Sequence, residues 1–140
     1  QHASCSKCVH EREQPGLPPV TIRDLLRATL RLRPDRILLG EVRGEEAFEL
    51  LQALNTGHRG TLSTTHANSA AESLERFATC VLMSEVRLTP QSLCRQIGLG
   101  LQTLVHLERR SGKRLVTEVV RVSGYDASTD RYVLETVYAS

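Results

Sequence analysis

Arg36-Ile37-Leu38-Leu39-Gly40-Glu41 is the stretch on which the fold turns. Its aliphatic run is too short for an independent helix and suits a strand buried on both faces, the condition of strands in parallel sheets. Upstream, Thr21 caps a helix with Asp24 three residues later. Ile22, Leu25, Leu26, Thr29 and Leu30 then recur at helical spacing until Pro34 stops the run. Downstream, Ala47, Leu50, Leu51 and Leu54 trace a helix from Glu45 to Asn55, with Glu45 and Glu46 at its positive end and Gly57 just past its C-terminus. Gly60 to Thr65, rich in β-branched residues, predicts the next strand. Ser69-Ala70-Ala71-Glu72 reads as a capping box opening a helix whose buried face is Leu74, Phe77, Ala78, Val81 and Leu82. Thr89-Pro90 opens another, with proline at its first position. Strand, helix, strand, helix indicates an α/β fold with a mostly parallel sheet.

The last forty residues differ. Leu104 to Glu108, Arg114 to Val122 and Arg131 to Tyr138 are short strand-like runs separated by turn residues at Ser111-Gly112-Lys113 and Gly124 to Ser128. They predict antiparallel hairpins appended to the α/β part. Residues 1–20 are polar and unpatterned up to the loop Pro15-Gly16-Leu17-Pro18-Pro19, so the organisation is an irregular segment, 1–20, followed by one domain, 21–140.

Apolar residues form 40% of the 140 and charged residues 24%, which excludes a disordered chain. The net charge of +2 is too small to argue for nucleic acid or an acidic membrane surface. No apolar run approaches the roughly 20 residues that span a bilayer, and the start lacks a signal-peptide core, so the expectation is a cytosolic chain. Cys80 and Cys94 fall in apolar helical patterns and are expected to be buried thiols. Without an initiator methionine, the start reads as lying within a longer sequence.

The chemistry is concentrated in the middle third. Glu41 follows a strand and a glycine, and ligands of α/β sheets bind beyond the carboxyl ends of the strands, where a carboxylate can hold Mg²⁺ through water. A solvated loop carboxylate fits the same pattern. Thr56-Gly57-His58 and Thr64-Thr65-His66-Ala67-Asn68 flank the second strand. If the strands are parallel, His66 emerges at the same edge as Glu41, where an imidazole can hydrogen-bond a phosphate oxygen.

Arg31-Leu32-Arg33-Pro34-Asp35-Arg36-Ile37-Leu38-Leu39-Gly40-Glu41-Val42-Arg43 resembles the Walker B segment of the type II/type IV secretion ATPases, and Thr56-Gly57-His58 through Thr65-His66-Ala67-Asn68 resembles their histidine box. The similarity runs from about Thr21 to the C-terminus and is nearest to the conjugative-transfer and tight-adherence pilus branch. It implies the C-terminal half of a RecA-like P-loop NTPase core in a homo-hexameric motor. Such motors hydrolyse ATP with Mg²⁺ in the cytoplasm, against inner-membrane secretion or pilus platform proteins. It further implies that Glu41 acts on the Mg²⁺ or its water, and that His66 senses the γ-phosphate. His58 holds the box, Arg43 links the strand end to neighbouring catalytic segments, and Thr65 and Asn68 support the nucleotide site. Arg31 and Asp35 are implied to be structural, Asp35 fixing the strand's start.

The pattern also departs from that family. No G-x-x-x-x-G-K-[ST] occurs, and the two lysines, Lys7 and Lys113, lie in no glycine-rich loop. The P-loop half is therefore absent from these residues, and the expectation is a motor fragment inactive alone. The alternative is a non-catalytic assembly module. Cys5-x-x-Cys8, with His2 and His10, reads as an irregular terminal segment or as half of a zinc site. The arginine-rich first helix, with Arg23, Arg27, Arg31 and Arg33, reads either as facing nucleic acid or as a solvated or subunit-facing surface; the near-neutral total charge favours the second, with no direct nucleic-acid contact expected.

Overall fold

The structure is a computed structural model and describes Gly16, residues 18–58 and residues 60–140. The Cys5/Cys8 segment lies outside the described residues. Four helices, α1 (Ile22–Arg31), α2 (Glu46–Asn55), α3 (Ala70–Leu82) and α4 (Pro90–Gly100), alternate with or precede five strands. The strands are β1 (Leu38–Leu39), β2 (Leu62–Ser63), β3 (Thr103–Arg110), β4 (Lys113–Asp126) and β5 (Arg131–Ala139).

Helix α1 starts in a complete capping box: the Thr21 side chain accepts from the Asp24 amide, and Asp24 accepts from the Thr21 amide at 3.1 Å. Helix α2 ends at the Thr56 C-cap, and Gly57, at φ 104°, takes the conformation that an L side chain resists, sending the chain back toward β2. The α3 start is only half a capping box. Ser69 accepts from the Glu72 amide, whereas the Glu72 carboxylate is taken by Asn68 Nδ2 at 2.9 Å.

Strands β1 and β2 pair in parallel, Leu38 opposite Leu62 and Leu39 opposite Ser63. The expected strands 36–41 and 60–65 shrink to two residues each, with single bonds extending the contact: Leu62 N to Ile37 O and Val42 N to Thr64 O, both 2.9 Å. Burial on both faces is not observed. Leu38 is 74% exposed and its partner Leu62 65%, because no layer among the described residues covers that face. Ile37 and Val42, pointing the other way, are buried. The antiparallel hairpins expected after the α/β part form a separate, larger sheet, a meander in the order β3-β4-β5.

One core joins the two parts. Ala47, Leu50 and Leu51 of α2, Leu74, Phe77, Cys80 and Val81 of α3, Leu93 and Ile97 of α4, Val42 and Val122 pack together. A fully buried leucine contributes roughly 1.5–3 kcal/mol. A smaller cluster of Leu26, Ile37 and Ala53 fastens α1 to α2 and β1. Helix α4 rides close on β4: a Cβ on Gly98 would stand 2.9 Å from the Gly124 carbonyl carbon, so only glycine permits that approach. Several expected core positions are less enclosed, Leu82 and Cys94 among them. Leu82 is 53% exposed, lying about 100° round the helix from Val81, and Cys94 is half-buried on the flank of α4.

Candidate functional site: the carboxyl edge of the parallel pair

Because β1 and β2 run in the same direction, the segments that follow them emerge side by side. The Val42–Thr64 backbone bond holds them together, as does the Thr64 hydroxyl, which donates to the Gly40 carbonyl. Glu41 and His66 therefore face each other, with His66 Nε2 2.9 Å from Glu41 Oε1. Arg43 returns from the other side, placing its Nε 2.7 Å from Glu41 Oε2. The shared carboxylate is the least exposed of the three, 21% against 78% for Arg43 and 91% for His66.

The hydrogen bond from Arg43 holds the Glu41 carboxyl below the usual glutamate range. Desolvation opposes it, and, more weakly, the charges of Arg43 and His66 assist it. The same contact raises Arg43. Glu41 is thus an ionised group at a strand end, held by two side chains exposed enough to swing away.

A buried carboxylate sets the turn beneath. Glu46 Oε1 accepts from the Arg43 amide at 2.6 Å and the Gly44 amide at 3.1 Å, satisfying two donors ahead of α2. The sequence reading placed Glu46 at the helix N-terminus for its charge and missed this bond. The only signal was an acid three residues after Arg43.

The remaining expected residues divide. Asn68 is at this edge, tied to Glu72, and with His66, Ala67 and Arg76 lines an open pocket of about 420 Å³. Thr65 is half-buried, its hydroxyl without a hydrogen-bond partner among the described residues. His58 stands before β2 and Asp35 before β1, so both occupy the opposite edge. There they line a second pocket of about 440 Å³ with Arg33, Pro34, Thr56 and Gly57. His58 supports its loop through its backbone, receiving Thr61 Oγ1 at 2.7 Å on its carbonyl. Arg31 is exposed, and neither it nor the Asp35 side chain has an ion-pair or hydrogen-bond partner among the described residues.

A Mg²⁺ ion needs one or two carboxylates and otherwise water and phosphate oxygens. Glu41, ionised and reachable from solvent, fits the water-mediated role; no cluster of three metal-ligating side chains exists among the described residues. No described helix is long and apolar enough to cross a membrane.

Residues 13–130 match the family of type II/IV secretion system proteins, starting ahead of the expected Thr21 and stopping just before β5. The type IV secretion system protein PtlH of Bordetella pertussis is 41% identical over 74% of this chain and 31% of its own length. The conjugal transfer protein TrbB of Rhizobium radiobacter is 40% identical over 76% and 32%. The fold is similar to the crystal structure of the VirB11 ATPase from the Brucella suis type IV secretion system in complex with sulphate. That likeness has a TM-score of 0.68 and 34% identity, and covers 71% of this chain and 31% of that one. This chain thus spans about a third of the length of these relatives, and it belongs to the type II/IV secretion system protein family.

Proposed function

We propose that these residues form the nucleotide-responsive C-terminal half of a RecA-like motor ATPase that drives secretion, conjugative transfer or pilus assembly. The observation that supports it most is the convergence of Glu41, Arg43 and His66 at the carboxyl edge of two parallel strands, where α/β sheets bind ligands. The exposed Leu38–Leu62 pair favours the RecA-like reading as well. Parallel strands occur with both faces covered by helices, so a helical layer belongs on this face.

In this reading the P-loop, which supplies most of the phosphate contacts, is contributed by a part of the longer protein outside these 140 residues. Glu41 orients the attacking water or a Mg²⁺-bound water. Mg²⁺, when bound, neutralises charge on the phosphate oxygens. His66, free to move, makes a contact available in the ATP state and lost in the ADP state, and only such a difference can drive a motor between conformations. Glu46 keeps the Arg43 turn in place throughout. The working unit is a homo-hexamer on the cytoplasmic side of the bacterial inner membrane, acting on platform proteins of the secretion machine.

The test is Glu41→Gln in the full-length protein. Turnover of Mg-ATP is expected to fall at least about a hundredfold, with ATP binding and oligomer size retained. A variant that keeps more than about a tenth of the wild-type rate removes Glu41 from the chemistry. The isolated 140-residue chain is expected to show no turnover and no ATP affinity tighter than about 1 mM by calorimetry.

A further inference from the structure

Helix α3 carries a cation that neither the sequence reading nor the site above uses. Asn68, Glu72 and Arg76 lie at i, i+4 and i+8, one line along the start of the helix and the loop before it. Long side chains on a helix lean toward its N-terminus, so the Arg76 guanidinium reaches back toward the 66–68 loop. There it lines the pocket with His66, Ala67 and Asn68, and no carboxylate lines that pocket. A glutamate one turn before an arginine ordinarily pairs with it. Here Glu72 is taken by Asn68 at 2.9 Å, and Arg76 has no ion pair among the described residues. Amides of the helix start are also occupied, Ala70 by the Glu118 carboxylate at 3.0 Å and Glu72 by Ser69. The exposed cation of this pocket is therefore Arg76, with the imidazole of His66 beside it.

On the ATPase reading, on which this inference rests, we propose that Arg76 binds the terminal phosphate of ATP alongside His66. The anion is a phosphate group, matched by a planar fork of donors that engages two oxygens at once. Asn68 acts as a positioning residue: by occupying Glu72 it keeps Arg76 out of an internal ion pair. Two consequences follow for variants. Arg76→Ala deletes the phosphate contact and leaves the fold intact, since the side chain is exposed. Asn68→Ala frees Glu72 to capture Arg76 and imitates that loss in part.

The experiment is calorimetric titration of the full-length protein with ADP and with a non-hydrolysable ATP analogue, for wild type, Arg76→Ala, Arg76→Lys and Asn68→Ala. Arg76→Ala is expected to weaken the analogue about tenfold and ADP less than twofold, with an unchanged melting temperature of the nucleotide-free protein. Arg76→Lys recovers part of the loss, and Asn68→Ala shows a smaller loss of the same kind. Equal weakening of both nucleotides, or of neither, overturns the proposal. If Glu41→Gln also abolishes turnover in that case, the ATPase reading survives and only the role of Arg76 falls. A wild-type protein that neither binds nor hydrolyses ATP removes both.

Discussion

Two acid–arginine clusters lie on either side of α2, built from the same chemistry and differing in how much water reaches them. At the α1–α2 seam, Glu49 Oε1 accepts from Arg23 Nε at 2.6 Å and from Arg27 Nε at 3.0 Å, while Arg23 also meets Glu45 at 3.3 Å. The Glu49 side chain is 6% exposed. At the strand edge, Glu41 is held by Arg43 and His66, both open to solvent. A buried pair fixes geometry, because removing one partner leaves the other stranded away from water. An exposed pair is worth little to the fold and can be broken by an incoming ligand. The seam docks a helix, and the edge is free to work.

The largest effect expected from this contrast is at the seam. Glu49→Ala leaves the half-buried Arg23 without its main partner and is expected to lower unfolding free energy by about 2–3 kcal/mol, read from urea denaturation. A change under about 0.5 kcal/mol would place the docking of α1 on Leu26, Ile37 and Ala53 alone. Next comes Glu46, buried beneath the working edge. Glu46→Ala strands the amides of Arg43 and Gly44 and should cost about 1–2 kcal/mol, whereas Glu46→Gln retains an accepting oxygen and should cost less than half as much. Equal losses in both variants would mean that charge at the helix N-terminus, and not the two hydrogen bonds, is what Glu46 supplies.

The same contrast explains what the sequence made legible. All four helices were foreseen because their caps and apolar spacing are local: Thr21 with Asp24, Ser69, and Thr89 with Pro90 each sit at an observed helix start. The meander was legible from turn residues, and Ser111 and Gly112 both adopt positive φ. Strands β1 and β2 were overdrawn because an aliphatic run reports apolarity and not what covers it. Leu38 and Leu39 are adjacent leucines, yet Leu38 is exposed and only Leu39 is packed against the core. At the site, the Glu41–His66 meeting followed from parallel direction alone. Which arginine pair would be buried was not legible, since the partners of Arg23 and Arg43 lie 26 and 2 residues away and only folding decides it. His58 was grouped with His66 by motif, although a strand separates them and carries them to opposite edges.

His66 provides a smaller and sharper check on the working edge. With its side chain 91% exposed, it has no packing to lose, and His66→Ala should change the stability of the nucleotide-free protein by less than about 0.5 kcal/mol. In the full-length protein the thermal stabilisation by a non-hydrolysable ATP analogue should drop toward that given by ADP. An apo protein melting several degrees lower, with the difference between the two nucleotides intact, would move His66 from the edge to the scaffold.

The smallest expected effect is a change in protonation, and it reports directly on the exposed cluster. The Arg43 hydrogen bond is the main reason the Glu41 carboxyl sits below the ordinary glutamate range, with the His66 charge the least of the causes. A carboxyl depressed in the folded state contributes stability at pH values above its unfolded range, and that contribution disappears as pH falls through the folded value. Arg43→Ala removes both the hydrogen bond and the nearest charge, so Glu41 should titrate upward toward an ordinary glutamate, and the acid limb of the stability curve should flatten there. His66→Ala should move it upward less. Carbon-13 detection of the Glu41 carboxyl through an acid titration, in wild type and both variants, reads the order directly. If Arg43→Ala leaves the titration unmoved, the Arg43 contact is broken most of the time in solution, and His66 becomes the residue that holds the carboxylate at the edge.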